Sequence, residues 1–243
     1  MSTIFGNIER KVYAKTFLQQ VDVRLEYPAI KQDAITDGDV ESFFKNHFDV
    51  GASSSVLLED DVFLKDDQKQ LAFLFSADAA MVCVGHLNYR SFYDSVLPNV
   101  YHIKDFVFNL LKQEGVVSYI RKVNVFTFEN NADLSEDEFS AVLYDNVFSP
   151  DFLNVTPTRD VSEVNGKTTT VQLRVVENVF FMTYIIPREN GKYSLFLETI
   201  LKAEADRLSL ESELERMNNL LYNAFHWSVG KNIITVMNKE EEQ

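Results

Sequence analysis

The order of apolar runs along this chain occurs twice. Lys69 to Ser76 is β-rich, Ala77-Asp78 turns, Ala80 to Leu87 is a second apolar run, and Phe92 to Glu114 carries a helical stripe. From Thr168 the succession returns. Thr170 to Val176, Phe180 to Ile186 and Tyr193 to Leu201 read as strands, and a helix follows from Leu210. Repetition on this scale is the mark of an internally duplicated chain. It confines the fold to two copies of one strand-and-helix unit.

Each copy extends further back. Val21, Val23 and Leu25 alternate with Asp22, Arg24 and Glu26, the pattern of a half-buried strand. Tyr27-Pro28 ends it, because proline has no donor for the ladder. Asp39 is placed to cap a short helix, Val40 to Phe48. In the second copy Val116 to Phe128 reads as a strand, and Ser135 with Glu138 forms a capping box for a short helix to Tyr144. Both copies therefore run strand, short helix, strands, long helix. The halves are 1–115 and 116–243, and the reading gives them one continuous sheet. Gly51 to Ser55 and Ser149 to Val164 read as irregular connections, and Val164–Lys167 and Arg188–Gly191 carry Asn-Gly hairpin signals.

The long helices are the clearest periodic elements. Val96, Val100, Ile103, Val107 and Leu110 recur at spacings of four and three, as do Leu210, Leu214, Met217, Leu221 and Phe225. Asp94 or Ser95 is the expected start of the first helix and Gly115 its stop; Ser209 is the expected cap of the second. The fold class is α+β: a duplicated antiparallel sheet with two long helices on one face. This order resembles the TATA-binding-protein saddle, with a helix-grip arrangement as the alternative.

A chain of 243 residues, 46% apolar and with 20 phenylalanines, can bury a sizeable core. No apolar run approaches membrane-spanning length, and Met1 to Lys11 has no signal-like apolar core, so a membrane partner is not expected. The single cysteine, Cys83, rules out a disulfide framework within one chain and fits a reducing cytoplasm. The net charge of −14 repels phosphate backbones, so no duplex nucleic acid is expected as partner unless one face is locally basic. The acid excess gathers in Lys31–Asp78 and Ala132–Glu177.

Chemical motifs are sparse. The four histidines, His47, His86, His102 and His226, lack metal-ligand spacing, and Cys83 and His86 alternate to opposite sides of a strand. Asp33, Asp37, Asp39 and Glu41 lack the order of a calcium loop. No phosphate-binding loop, dinucleotide fingerprint or nucleophile elbow occurs. No catalytic residue, metal or cofactor is assigned. The candidate ligand or partner residues are Arg121 and Asn124 with Arg90 and Tyr89, and Trp227 at the close of the last helix. Arg121 among apolar strand residues either pairs with a carboxylate of the same molecule or seats an anionic group. Trp227, beside His226, is either a core plug or an exposed aromatic anchor.

Asn88-Tyr89-Arg90-Ser91-Phe92-Tyr93, followed by Tyr119-Ile120-Arg121-Lys122-Val123-Asn124, resembles a sporadically distributed bacterial family of similarly sized proteins. That family has a tyrosine–aromatic pair before a helix, then an arginine and an asparagine in the next strand. Its members begin with an apolar strand like Gln20 to Leu25 and end with a helix carrying a phenylalanine near its close, here Phe225. Phe92 stands where the family has tryptophan. The family has no assigned activity. The resemblance implies a bacterial, cytoplasmic protein, and the patchy distribution is that of mobile or defence-linked genes.

The expected function is that of a non-enzymatic binding protein whose partner is another protein, of a kind that regulates or neutralises a toxin or defence effector. A homodimer is the other partnership considered. The alternatives are a small-ligand sensor with a groove between sheet and helices, and a metal-dependent enzyme using loop carboxylates.

Overall fold

The computed structural model describes residues 4–11, 13, 15–28, 36–47, 53–58, 61–85, 92–112, 115–130, 134–164, 167–203 and 209–238. It is an α+β protein whose strands pair antiparallel. Packing divides the chain into two units. The first comprises Gln19–Arg121 and Ala203–Leu214; the second comprises Met1–Leu18, Lys122–Lys202 and Glu215–Gln243.

In the first unit β1 (Leu18–Glu26) is followed by α1 (Asp37–His47), β2 (Ser53–Leu58), β3 (Asp61–Asp66), β4 (Leu71–Phe75) and β5 (Ala79–Gly85). The strand order is β2-β3-β4-β5-β1, so the last strand of the meander lies beside the first. Asp22 faces Cys83 and Leu25 faces Ala80 across the β1–β5 ladder. Val21, Val23 and Leu25 are buried as their alternation requires. A π-helical turn, Phe92–Val96, leads into α2 (Leu97–Leu111), which lies against β5. Its stripe, Val96, Val100, Ile103 and Val107, is fully buried. Phe43 of α1 meets Phe73 and Phe75 edge-on and packs on Phe106 of α2.

β6 (Val116–Glu129) contributes residues 116–121 to the first unit and 122–129 to the second. The second unit continues with α3 (Glu136–Val147), α4 (Pro150–Leu153), β7 (Arg159–Val164), β8 (Lys167–Val176), β9 (Val179–Pro187) and β10 (Lys192–Lys202). Its strand order is β6-β10-β9-β8-β7. α5 (Leu210–Ser228) starts in the first unit and ends in the second, and α6 (Lys231–Asn238) follows. Leu214, Met217, Leu221 and Phe225 of the α5 stripe are buried. The helices cover one face of this sheet. Tyr144 of α3 donates to Thr183 of β9 at 2.9 Å, and Phe181 of β9 packs on Phe152 of α4 and Trp227 of α5.

Local chemistry accounts for the ends of these elements, with several corrections to the sequence reading. The Ser135–Glu138 capping box forms as expected. The β9–β10 connection has Asn190 and Gly191 both left-handed, as the tight hairpin turn needs. The first short helix is capped by Thr36 rather than Asp39. Asp39 N donates to the Thr36 hydroxyl, and Thr36 N donates to the Asp39 carboxylate. The Thr36 hydroxyl also donates to that carboxylate, and this bond, with the one from Thr36 N, holds the Asp39 carboxyl below its usual range. α2 takes no side-chain cap from Asp94 or Ser95, and it stops at Lys112, not Gly115. Lys112 adopts a left-handed φ of 54°, and its N–H closes on Phe108 O at 2.8 Å.

Two expected connections are not irregular: Ser53–Ser55 belongs to β2, and Ser149–Val164 contains α4 and β7. The Asn165-Gly166 turn signal lies outside the described residues.

Candidate functional site

Arg121 is placed by β6 beside β1. Its Nη1 donates to Asp22 Oδ2 at 2.7 Å. The Asp22 side chain is 2% exposed and that of Arg121 31% exposed. Gln20 Nε2 donates to the other carboxylate oxygen at 2.7 Å. Across the ladder, burial, with Asp22 adding to it, pushes the Cys83 thiol well above its usual range. Tyr119, two residues before Arg121, donates to Met81 Sδ at 3.3 Å. Its phenol is pushed up by burial, with the Asp22 charge adding and the Arg24 charge opposing. Arg121 is therefore half of an ion pair whose acidic member is buried.

Asn124 does not join Arg121. Strand alternation sends Arg121 to Asp22 and its neighbour Lys122 to the other side, where Lys122 Nζ donates to Asn218 Oδ1 of α5 at 2.6 Å. Asn124 shares the side of Lys122 and is 4% exposed. Burial, with Arg10 adding, pulls the Lys122 ammonium down to about 7. No sequence signal beyond a lysine in a strand marked this group. Tyr89 and Arg90 lie outside the described residues.

Trp227 is half-buried and meets Phe5, Phe152 and Phe181, so it plugs the core of the second unit. Beside it His226 Nε2 lies 3.2 Å from the Tyr13 hydroxyl, and burial lowers the imidazole to about 4. His102 is exposed; the side chain of His47 and all of His86 are outside the described set. Among the described residues no three His, Cys, Asp or Glu groups stand close enough to hold a metal ion. Among them also, no helix is long and apolar enough to cross a membrane.

Among the described residues, two features could receive a ligand. One is a cleft of about 470 Å³ between α1 and α2, lined by Phe43, Phe106, Asp39, Asn46, His102, Asp105 and Asn109, with Ser42 at its side. The other is the second face of the β8–β10 sheet. On the helix-covered face Val179, Phe181, Thr183, Leu195, Leu197 and Leu201 are buried; alternation turns Phe180, Met182, Tyr184, Phe196 and Ile200 the other way, and each reaches solvent. Register sets Phe196 opposite Tyr184 and Ile200 opposite Phe180. The Phe196 and Tyr184 rings stack at 4.8 Å, 6° from parallel. Tyr184 donates to Glu198 Oε1 at 2.8 Å. Arg188 lies 5.7 Å from the Phe196 centroid and Lys202 5.6 Å from that of Phe180. The sequence carries this stripe as every second residue of two strands, but alternation alone does not say which face the helices will take.

No protein-family model matches the chain, and no curated protein matches its sequence. Among solved structures, a rolling circle replication initiator protein from Geobacillus stearothermophilus is similar over 87% of this chain and 84% of its own, with a TM-score of 0.34 and 7% identity. At that level the likeness transfers nothing to this chain.

Proposed function

We propose that this chain is a non-enzymatic bacterial, cytoplasmic binding protein whose partner is another protein, and that it restrains or neutralises a toxin or defence effector. The observation that carries the binding role is the solvent-reaching stripe Phe180, Met182, Tyr184, Phe196 and Ile200 on the sheet of the second unit. Aromatic rings and methionine, with arginine beside them, are the residue types enriched at protein interfaces. The stacked rings and the Tyr184–Glu198 bond hold the stripe in one geometry, which lowers the entropy lost on docking. The toxin or defence role rests on the family resemblance alone.

The duplicated, saddle-like arrangement belongs to the same proposal. It is supported by the strand order within each unit, where β5 lies beside β1 and β10 beside β6. The test is a photo-crosslinking side chain at Val175, which is exposed next to the stripe, with Val236 of α6 as an exposed control. A partner captured in the native host from Val175 and not from Val236 supports the reading. Equal capture from both, or none from Val175, refutes it.

A second reading is a small-ligand sensor, and the cleft between α1 and α2 favours it. Its carboxylates, amides and His102 suit a polar, cationic metabolite. A metabolite that raises the melting temperature of the wild type and not of Asp105→Asn would support this alternative.

A further inference from the structure

The charges around the β9–β10 stripe specify what a partner must present. Arg188 and Lys202, both exposed, sit over Phe196 and Phe180 in a chain whose net charge is −14. Phe196 is opposite Tyr184, and Tyr184 is four residues from Phe180, so the cation-bearing rings are about 14 Å apart along the strands. Between them Glu198 is 1% exposed, opposite Met182 and bound to the Tyr184 hydroxyl.

We propose that the occupant is a segment of another protein with an acid–apolar–acid pattern. One carboxylate meets Arg188 and a second meets Lys202, with uncharged apolar side chains over Met182 and Ile200. The proposal rests on the protein-binding reading above. A carboxylate can bond each cation while the cation stays on its ring, so these contacts add to the cation–π pairs without breaking them. A third acid in the middle would be stripped of water against Met182 and Ile200, so the centre must be uncharged. The cations lie 5.7 and 5.6 Å from these ring centres, so the two acids stand about 14 to about 25 Å apart, about four to seven residues in an extended segment. A second copy docking stripe on stripe would set Arg188 and Lys202 against the same two cations. Single-stranded nucleic acid needs open ring faces for its bases, whereas here Phe196 and Tyr184 face each other and the cations cover Phe196 and Phe180.

The experiment is a selection of short random peptides against the whole protein and against Arg188→Glu/Lys202→Glu. The double substitution removes the bond from Arg188 Nε to Ser194 Oγ and both cation–π pairs, so circular dichroism should match the wild type while the melting temperature falls by a few degrees at most. Peptides selected by the wild type should carry Asp or Glu at two positions flanking an apolar centre. They should bind the double variant about tenfold or more weakly, and the variant should select Lys or Arg at the same two positions. Selected peptides that depend on Phe180 and Val175 but show no acid preference would overturn the charge pattern while leaving the protein-binding reading in place. If no selected peptide is sensitive to Val175→Glu or Phe180→Glu, both ideas fall. A dimer lost in the double variant, or oligo-dT held by Arg188 and Lys202, would assign the face to a different occupant and overturn the proposal.

Discussion

Replacing Arg121 by alanine leaves the Asp22 carboxylate buried, with Gln20 as its hydrogen-bond donor. Removing one partner of a buried ion pair costs about 3–5 kcal/mol, mainly because the remaining charge is stranded. Arg121 is 31% exposed, so solvent already screens part of the pair, and about 2–4 kcal/mol is the expected loss. For a chain of this length each kcal/mol shifts the melting temperature by about 2–4 °C, giving a drop of about 5–15 °C. The mirror change, Asp22→Asn, should cost less, about 1–2 kcal/mol, because it leaves a guanidinium that reaches water and an amide that can still bond Gln20. The double variant should recover part of the Arg121→Ala loss, since it no longer holds a stranded carboxylate. Urea denaturation of the four proteins measures the cycle. Equal losses for the two single variants, or a loss below about 0.5 kcal/mol for Arg121→Ala, would refute the account and make Arg121 a ligand group.

Leu221 is fully buried on α5, so Leu221→Ala should cost about 2–5 kcal/mol; a denaturation midpoint matching wild type would show that the stripe does not hold the core. Lys122 has its pKa lowered from 10.5 to about 7, so between these values the unfolded chain holds a proton that the folded chain has lost. Its contribution to stability should therefore rise with pH from about 7 towards 10.5, by at most about 1.4 kcal/mol per unit, and Lys122→Met should flatten that slope in melting curves. Cys83, with its thiol pushed up by burial and by Asp22, should react with iodoacetamide at pH 8 at least about a hundredfold more slowly in the folded protein than in urea; equal rates would contradict its placement.

The sequence by itself determined the features that are local and periodic. The two α stripes, the first strand, the Ser135 capping box and the Asn190-Gly191 turn each depend on residues a few positions apart. Missed elements depend on distant neighbours. Ser53–Ser55 is the polar start of β2, and β2 and β7 (Arg159–Val164) lie at the ends of their units' orders, where an edge strand needs one hydrogen-bonding neighbour more than an apolar alternation. Glycine is the usual left-handed residue, yet α2 ends where Lys112 takes that conformation and anchors its own ammonium on Asn109 O. The candidate site divides the same way. Alternation alone put Arg121 and Asn124 on opposite sides of β6, but only the pairing of strands set Asp22 beside Arg121. The stripe over which Arg188 and Lys202 lie is a tertiary fact. Two strands had to come into register and the helices had to cover the opposite face before every second residue became a surface.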